Sequence, residues 1–199
     1  MKFPSKTVLT VALLALTTVA QAAQRPKVAL VLSGGGARGI AHIGVLKVLQ
    51  DAKVPVDCVV GTSMGAIVGG AMATGMPVND MEQAVTTADW DHIFGDKPKR
   101  KDIPYFRKRD DEKDYFDFTL TLKDFWPVPP RNLVGVHYIT QFFRQLTGGL
   151  EVEEFDDLPI PYRAIGADLE SGKTVIMRHG DLPLVMRASM SVSGVFPPV

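Results

Sequence analysis

The chain predicts an α/β fold built on a mainly parallel sheet with flanking helices, and three observations carry that expectation. Two short aliphatic runs, Lys27 to Ser33 (KVALVLS) and Val56 to Val60, are apolar without alternation, as strands buried on both faces are. Each run is broken by a glycine-bearing turn and followed by a segment of helical length. Strand, helix, strand, helix in that rhythm describes parallel βαβ units. The 199 residues, 46% of them hydrophobic, suffice for one domain with a sizeable core. With 22 basic and 22 acidic side chains the net charge is zero, which excludes intrinsic disorder and argues against a nucleic-acid partner. A single cysteine, Cys58, excludes an internal disulfide and is expected to be buried rather than reactive.

Residues 1–22 have the pattern of an export signal. Lys2 and Lys6 precede an apolar stretch from Val8 to Ala20, and Ala20-Gln21-Ala22 is a small-x-small cleavage site. The stretch is short and diluted by threonine, so an uncleaved membrane anchor is the weaker alternative. Residues 23–199 then form one exported domain, placed in the periplasm, at the outer membrane or at the cell surface.

Within it, Ile43, Leu46 and Leu49 recur at helical spacing across Ile40 to Ala52, and a small-residue helix is expected from Ser63 to Thr74, stopped by Gly75 and Pro77. Asp80 to Ala88 reads as helical. Lys97 to Asp114 is charged and broken by Pro98 and Pro104, as a surface loop would be. Phe116, Phe118, Leu120 and Leu122 alternate with polar residues, so a half-buried strand is expected there, followed by a proline-broken connector from Trp126 to Pro130. Val136 to Thr147 is a helix closed by Gly148-Gly149. Tyr162 to Asp168 and Thr174 to Arg178 are strands of a hairpin, and Asp181 caps a last helix reaching about Ser189.

Two turns carry chemistry. Gly61-Thr62-Ser63-Met64-Gly65 is a G-x-S-x-G string between a buried strand and a helix. A nucleophilic serine held on so tight a turn needs neighbours without side chains two residues before and after it, here Gly61 and Gly65. The helix that follows points its positive end at the site. The string alone arises by chance in roughly one chain in fifteen of this length, so the flanking strand and helix carry the assignment. The alternative is a packing turn. Gly34 to Gly39 (GGGARG) opens the first helix and offers unpaired backbone N–H groups to an anion, either a phosphate or the oxyanion of acyl transfer. It also matches the dinucleotide pattern G-x-G-x-x-G, but that site needs an acidic residue ending the second strand. Asp57 starts that strand, and Gly61-Thr62-Ser63 ends it. Both turns sit at the carboxyl ends of strands adjacent in sequence and should face one crevice, one supplying a nucleophile and the other donors for the developing charge.

The stretches VLSGGGARGIAHIGVLKVL, GTSMGAIVGG, DLESGK and RASMSVSGVFPPV together resemble the patatin-like phospholipase family, from about Lys27 to the last residue. With the export signal and KRKDIPYFRKRDD, the chain looks most like bacterial secreted lipases of that family, whose passenger precedes an outer-membrane barrel. The resemblance implies a three-layer α/β fold, incomplete at its C-terminus, and cleavage of acyl esters of phospholipids and related lipids without a cofactor. It makes Ser63 the nucleophile of a serine–aspartate dyad. Gly34, Gly35 and Gly36 would line the oxyanion hole, with Arg38 bracing their loop.

The family's aspartate lies in an Asp-Gly-Gly or Asp-Gly-Ala motif, and neither string occurs in the 199 residues. An alternative function is therefore a lipid- or partner-binding module without turnover. Asp168 and His179 follow Ser63 in the order of an ordinary α/β-hydrolase triad, and His42 lies one helical turn past the glycine loop. A histidine in that position more often bonds the backbone. His92 and His137 have no local context, and the four histidines lack metal-ligand spacing. The segment from Lys97 to Arg109 holds seven basic residues with Tyr105 and Phe106, which suits a membrane surface or simply a solvated loop. The aromatics from Tyr115 to Trp126 would form core or an acyl-binding wall.

Overall fold

A computed structural model describes residues 25–95, 100–106, 108, 121–123, 126–128 and 136–199. The export signal therefore lies outside the described residues, as do most of the charged loop and most of the alternating Phe116–Leu122 strand.

The first strand, β1 (Ala29–Leu32), runs into the glycine loop, a 3-10 turn (Gly36–Ile40) and helix α1 (Ala41–Asp51). Strand β2 (Cys58–Thr62) leads through Ser63 into α2 (Met64–Ala73), then α3 (Val78–Thr87) and α4 (Trp90–Gly95). The short ribbon of β3 (Thr121–Lys123) and β4 (Trp126–Val128) precedes α5 (His137–Leu146), the hairpin of β5 (Tyr162–Ala167) and β6 (Thr174–Met177), and α6 (Leu182–Met190). The main sheet has the order β1-β2-β5-β6, with β1, β2 and β5 parallel and β6 antiparallel. This is the expected α/β arrangement of a mostly parallel sheet with helices, and Asp181 caps α6 by accepting from Leu184 N at 2.8 Å.

Three local readings are corrected. The second strand begins at Cys58 rather than Val56; Asp57, just before it, donates its N–H to Val28 O at 2.8 Å, while its carboxylate accepts from Val28 N and from both terminal nitrogens of Arg25, each at 2.7 Å. Trp126–Val128, expected as a connector, pairs antiparallel with Thr121–Lys123. Pro127 is tolerated there because a two-stranded ribbon leaves each strand an unpaired edge. Within the expected loop, Lys108 N donates to Pro104 O, so a helical turn starts at that proline, which needs no N–H donor of its own.

Alternation along the strands sorts the sheet into two unlike faces. Leu32, Val59, Tyr162 and Ala164 point to one side, and all four are buried. There α2 lies low on the sheet, since a Cβ at Gly69 would come within 2.8 Å of Val59 Cγ1. Beside α2 runs α6, with Met186 filling the space over Gly70. Tyr162 crosses the interface and its hydroxyl donates to Ala66 O at 2.8 Å; burial pushes that phenol's pKa up. Each such buried large side chain contributes about 1.5–3 kcal/mol. Val31 and Ile176 point to the other side and are 73% and 62% exposed. The first strand is thus buried on one face, not both, because no helix among the described residues covers the other.

Candidate active site

The carboxyl ends of β1 and β2 lie side by side, with Leu32 paired to Gly61. Beyond Thr62 the chain turns at Ser63, whose backbone has φ 54° and ψ −120°, and α2 begins at the next residue. A non-glycine residue at such a φ costs of order 1–3 kcal/mol and persists only where its surroundings over-determine it. The two flanking glycines do so. A Cβ at Gly61 would fall onto the carbonyl of Gly65, and one at Gly65 onto the carbonyl of Leu32. Ser63 O accepts from the amides of Ala66 and Ile67 at 2.9 and 3.1 Å, which starts the helix. The amide of Ser63 itself donates to Ser189 Oγ at 2.8 Å.

The glycine loop closes over this turn. A Cβ at Gly34 would lie 3.2 Å from Ser63 Cβ and 3.9 Å from Ser63 Oγ, so the loop backbone stands directly beside the candidate nucleophile. A Cβ at Gly39 would lie 2.6 Å from Met64 Cβ, which locks the loop's far end against the start of α2. Gly36 has φ +55°, and no atom would meet a Cβ there within 4 Å. Among the described residues none of the amides of Gly34, Gly35 and Gly36 donates a turn, loop or side-chain hydrogen bond. Backbone donors left free beside an exposed crevice are what a developing oxyanion requires.

A family model described as patatin-like phospholipase matches residues 30–199. The chain belongs to that family. An uncharacterized NTE family protein of Mycobacterium tuberculosis is 32% identical over 178 residues, which cover 87% of this chain and 39% of that protein. Human patatin-like phospholipase domain-containing protein 6 is 31% identical over 173 residues, covering 86% and 10%. The chain thus spans two fifths or less of the length of these relatives. Among solved structures, the type III effector ExoU matches with a TM-score of 0.52 at 16% identity, over 85% of this chain and 39% of that one. VipD from Legionella pneumophila matches with 0.53 at 16%, over 87% and 44%. At that identity the two structures speak for the patatin-like fold alone.

Of the candidate site residues, Gly61, Gly65 and Gly34 lie at the Ser63 turn, and Gly35 and Gly36 follow Gly34 in the loop beside it. The guanidinium of Arg38 is exposed and makes no hydrogen bond or ion pair among the described residues; only its backbone N–H braces the loop, donating to Gly35 O at 3.2 Å. Ser63 Oγ is bonded to neither a histidine nor a carboxylate among the described residues. His42 Nε2 donates to the Ser33 carbonyl at 2.9 Å and so packs against the backbone.

The Asp168–His179 alternative does not assemble. Ser63 follows Thr62, which is level with Ile165 and, through it, with Ile176. Asp168 lies beyond that level at one end of the hairpin, and His179 beyond the other end, bridged to Glu154. Asp168 is also spent on its own turn: its Oδ1 accepts from Glu170 N and Ser171 N at 2.8 and 3.1 Å. Those bonds, Ser171's first, hold its carboxyl below the usual range.

Two contributors went unassigned in the sequence. The Met64 amide, first in α2, donates no turn, loop or side-chain hydrogen bond among the described residues; its place directly after the candidate nucleophile was the available signal. Ser189 belongs to the RASMSVSG stretch, but its meeting with Ser63 spans 126 residues of sequence and no local pattern announces it. Behind Met64 lies an apolar cavity lined by Ile43, Ile67, Val68, Phe143 and Met190, of about 40 Å³. Among the described residues no group of three or more His, Cys, Asp and Glu side chains could hold a metal ion, and no helix is long and apolar enough to cross a membrane.

Proposed function

We propose that this chain carries the nucleophile and oxyanion hole of an exported serine hydrolase acting on acyl esters of phospholipids or related lipids. The observation that supports it most is how near the Gly34 backbone lies to Ser63, where an added Cβ would stand 3.2 Å from Ser63 Cβ, with the loop amides making no turn, loop or side-chain hydrogen bond among the described residues. Ser63 Oγ attacks the ester carbonyl carbon. The carbonyl oxygen gains the negative charge and is held by amides of Gly34 to Gly36 and by that of Met64. An aspartate takes the serine proton, the alcohol leaves, and water hydrolyses the acyl-enzyme. That aspartate is the dyad partner the family resemblance implies, outside the residues described. Export rests on the pattern of residues 1–22, and an outer-membrane barrel would belong to a longer product. Tyr105 and Phe106, 80% and 60% exposed on a segment rich in lysine and arginine, suit contact with an anionic lipid surface.

The test is a fluorophosphonate probe read by intact mass. The expected result is one adduct on the folded chain, absent from Ser63→Ala. No adduct on a folded chain overturns turnover by these residues and leaves the second reading, a lipid- or partner-binding module. Flotation with anionic liposomes, without fatty-acid release, would support it.

A further inference from the structure

We infer that Ser189 is a positioning residue, whose hydroxyl takes the place of a sheet hydrogen bond and so sets the height of the nucleophile above the sheet. The inference rests on Ser63 being the nucleophile.

The register shows how. Val59 N donates to Pro161 O at 2.9 Å, and the donors of a parallel ladder recur every second residue. The next bond in that series runs from Gly61 N to Arg163 O, and the one after it would run from Ser63 N to Ile165 O. That last bond is replaced. Ser63 N donates instead to Ser189 Oγ at 2.8 Å, and Ser189 Oγ donates to Ile165 O at 2.6 Å. A single oxygen atom from α6 links donor and acceptor just past Thr62 and Ile165, the last paired residues of β2 and β5. Both backbone groups are thereby satisfied in a half-buried place, where an unpaired amide or carbonyl would be costly. The inserted hydroxyl has one proton to give and lone pairs to receive, and here it uses both functions in line.

The indirect link has a purpose at this position. A ladder that closed directly from Ser63 to Ile165 would draw Ser63 down to the sheet and toward extended backbone. Its φ of 54° and the start of α2 at Met64 both require the chain to leave the sheet there. Among the described residues Ser189 Oγ bonds only the Ser63 amide and the Ile165 carbonyl, so it acts through the Ser63 backbone. Ser191, two residues on, offers an internal comparison. Its hydroxyl donates to Arg187 O at 2.8 Å within the same helix end and does not reach the turn.

The experiment uses the full chain and the kinetics of fluorophosphonate labelling, resolved into the limiting rate and the half-saturating probe concentration. Ser189→Ala is expected to lower the limiting rate at least tenfold with half-saturation unchanged, and to shift the Ser63 amide resonance in a ¹⁵N–¹H spectrum. Ser189→Cys, a weaker hydrogen-bond former of similar shape, should fall between Ala and wild type, and it carries the test should the alanine variant not fold. Ser191→Ala should label as wild type does. Equal limiting rates in wild type, Ser189→Ala and Ser189→Cys would overturn the inference. A folded wild-type chain that takes no probe at all would instead overturn the nucleophile assignment on which it rests.

Discussion

The two glycine turns look alike in the sequence and differ in what their glycines are for. At Gly61 and Gly65 the glycines are steric requirements, since an added Cβ would run into backbone that has nowhere to go. Around Gly34 to Gly36 there is space. A Cβ at Gly36 meets nothing within 4 Å, and one at Gly34 approaches only the nucleophile's side chain and the Thr62 carbonyl. One turn is held by packing, and the other leaves room around its backbone. The lesson is that glycine spacing marks where a backbone is unusual, while the neighbours decide whether stability or reactivity depends on it.

Substitutions at the two turns should therefore separate the two properties. Gly65→Ala is expected to cost more than about 4 kcal/mol, enough to unfold the chain, as urea denaturation would show; a folded variant would erase the contrast. Gly34→Ala should keep the folded state, because a Cβ 3.2 Å from Ser63 Cβ asks only a small shift. It moves the amide beside the nucleophile, so probe labelling should drop on the order of 10²-fold, the scale set by losing one oxyanion donor. Gly36→Ala should cost about 1–2 kcal/mol through its φ of +55°, visible as a lowered Tm, with labelling lowered less than in Gly34→Ala.

The smallest effect belongs to the opposite end of β2. Arg25, and next the Val28 amide, hold the Asp57 carboxyl at about 2, below its ordinary 3.8. A depressed carboxylate contributes stability that is present above its unfolded pKa and lost as pH falls through the folded one. Stability should decline as pH drops from about 4 to about 2, and Asp57→Asn should flatten that part of the profile. The decline should be modest because the pair is solvent-screened. Labelling at neutral pH should be unaffected, which would confine the chemistry to the carboxyl ends of the strands.

Much of this was legible beforehand. The α/β order, the helix capped by Asp181, the hairpin from Tyr162 and the pairing of the two turns follow from local rules of periodicity, capping and glycine placement. The strand burial was misjudged because an aliphatic run such as VALVL reads the same whether one face or both are covered; Val31 shows that only one is. The ribbon at Trp126–Val128 was hidden by prolines that an unpaired edge accommodates.

By itself the sequence determined which serine is the candidate nucleophile, which two glycines flank it and which loop could supply donors, because each is a turn of a few residues whose backbone demands show in the residue types. Only the tertiary structure decided that the candidate triad of Asp168 and His179 falls at opposite ends of a hairpin, and that a serine 126 residues distant stands between Ser63 and Ile165. Those facts depend on strand register and on where α6 crosses the sheet, and neither leaves a mark in any short stretch of residues.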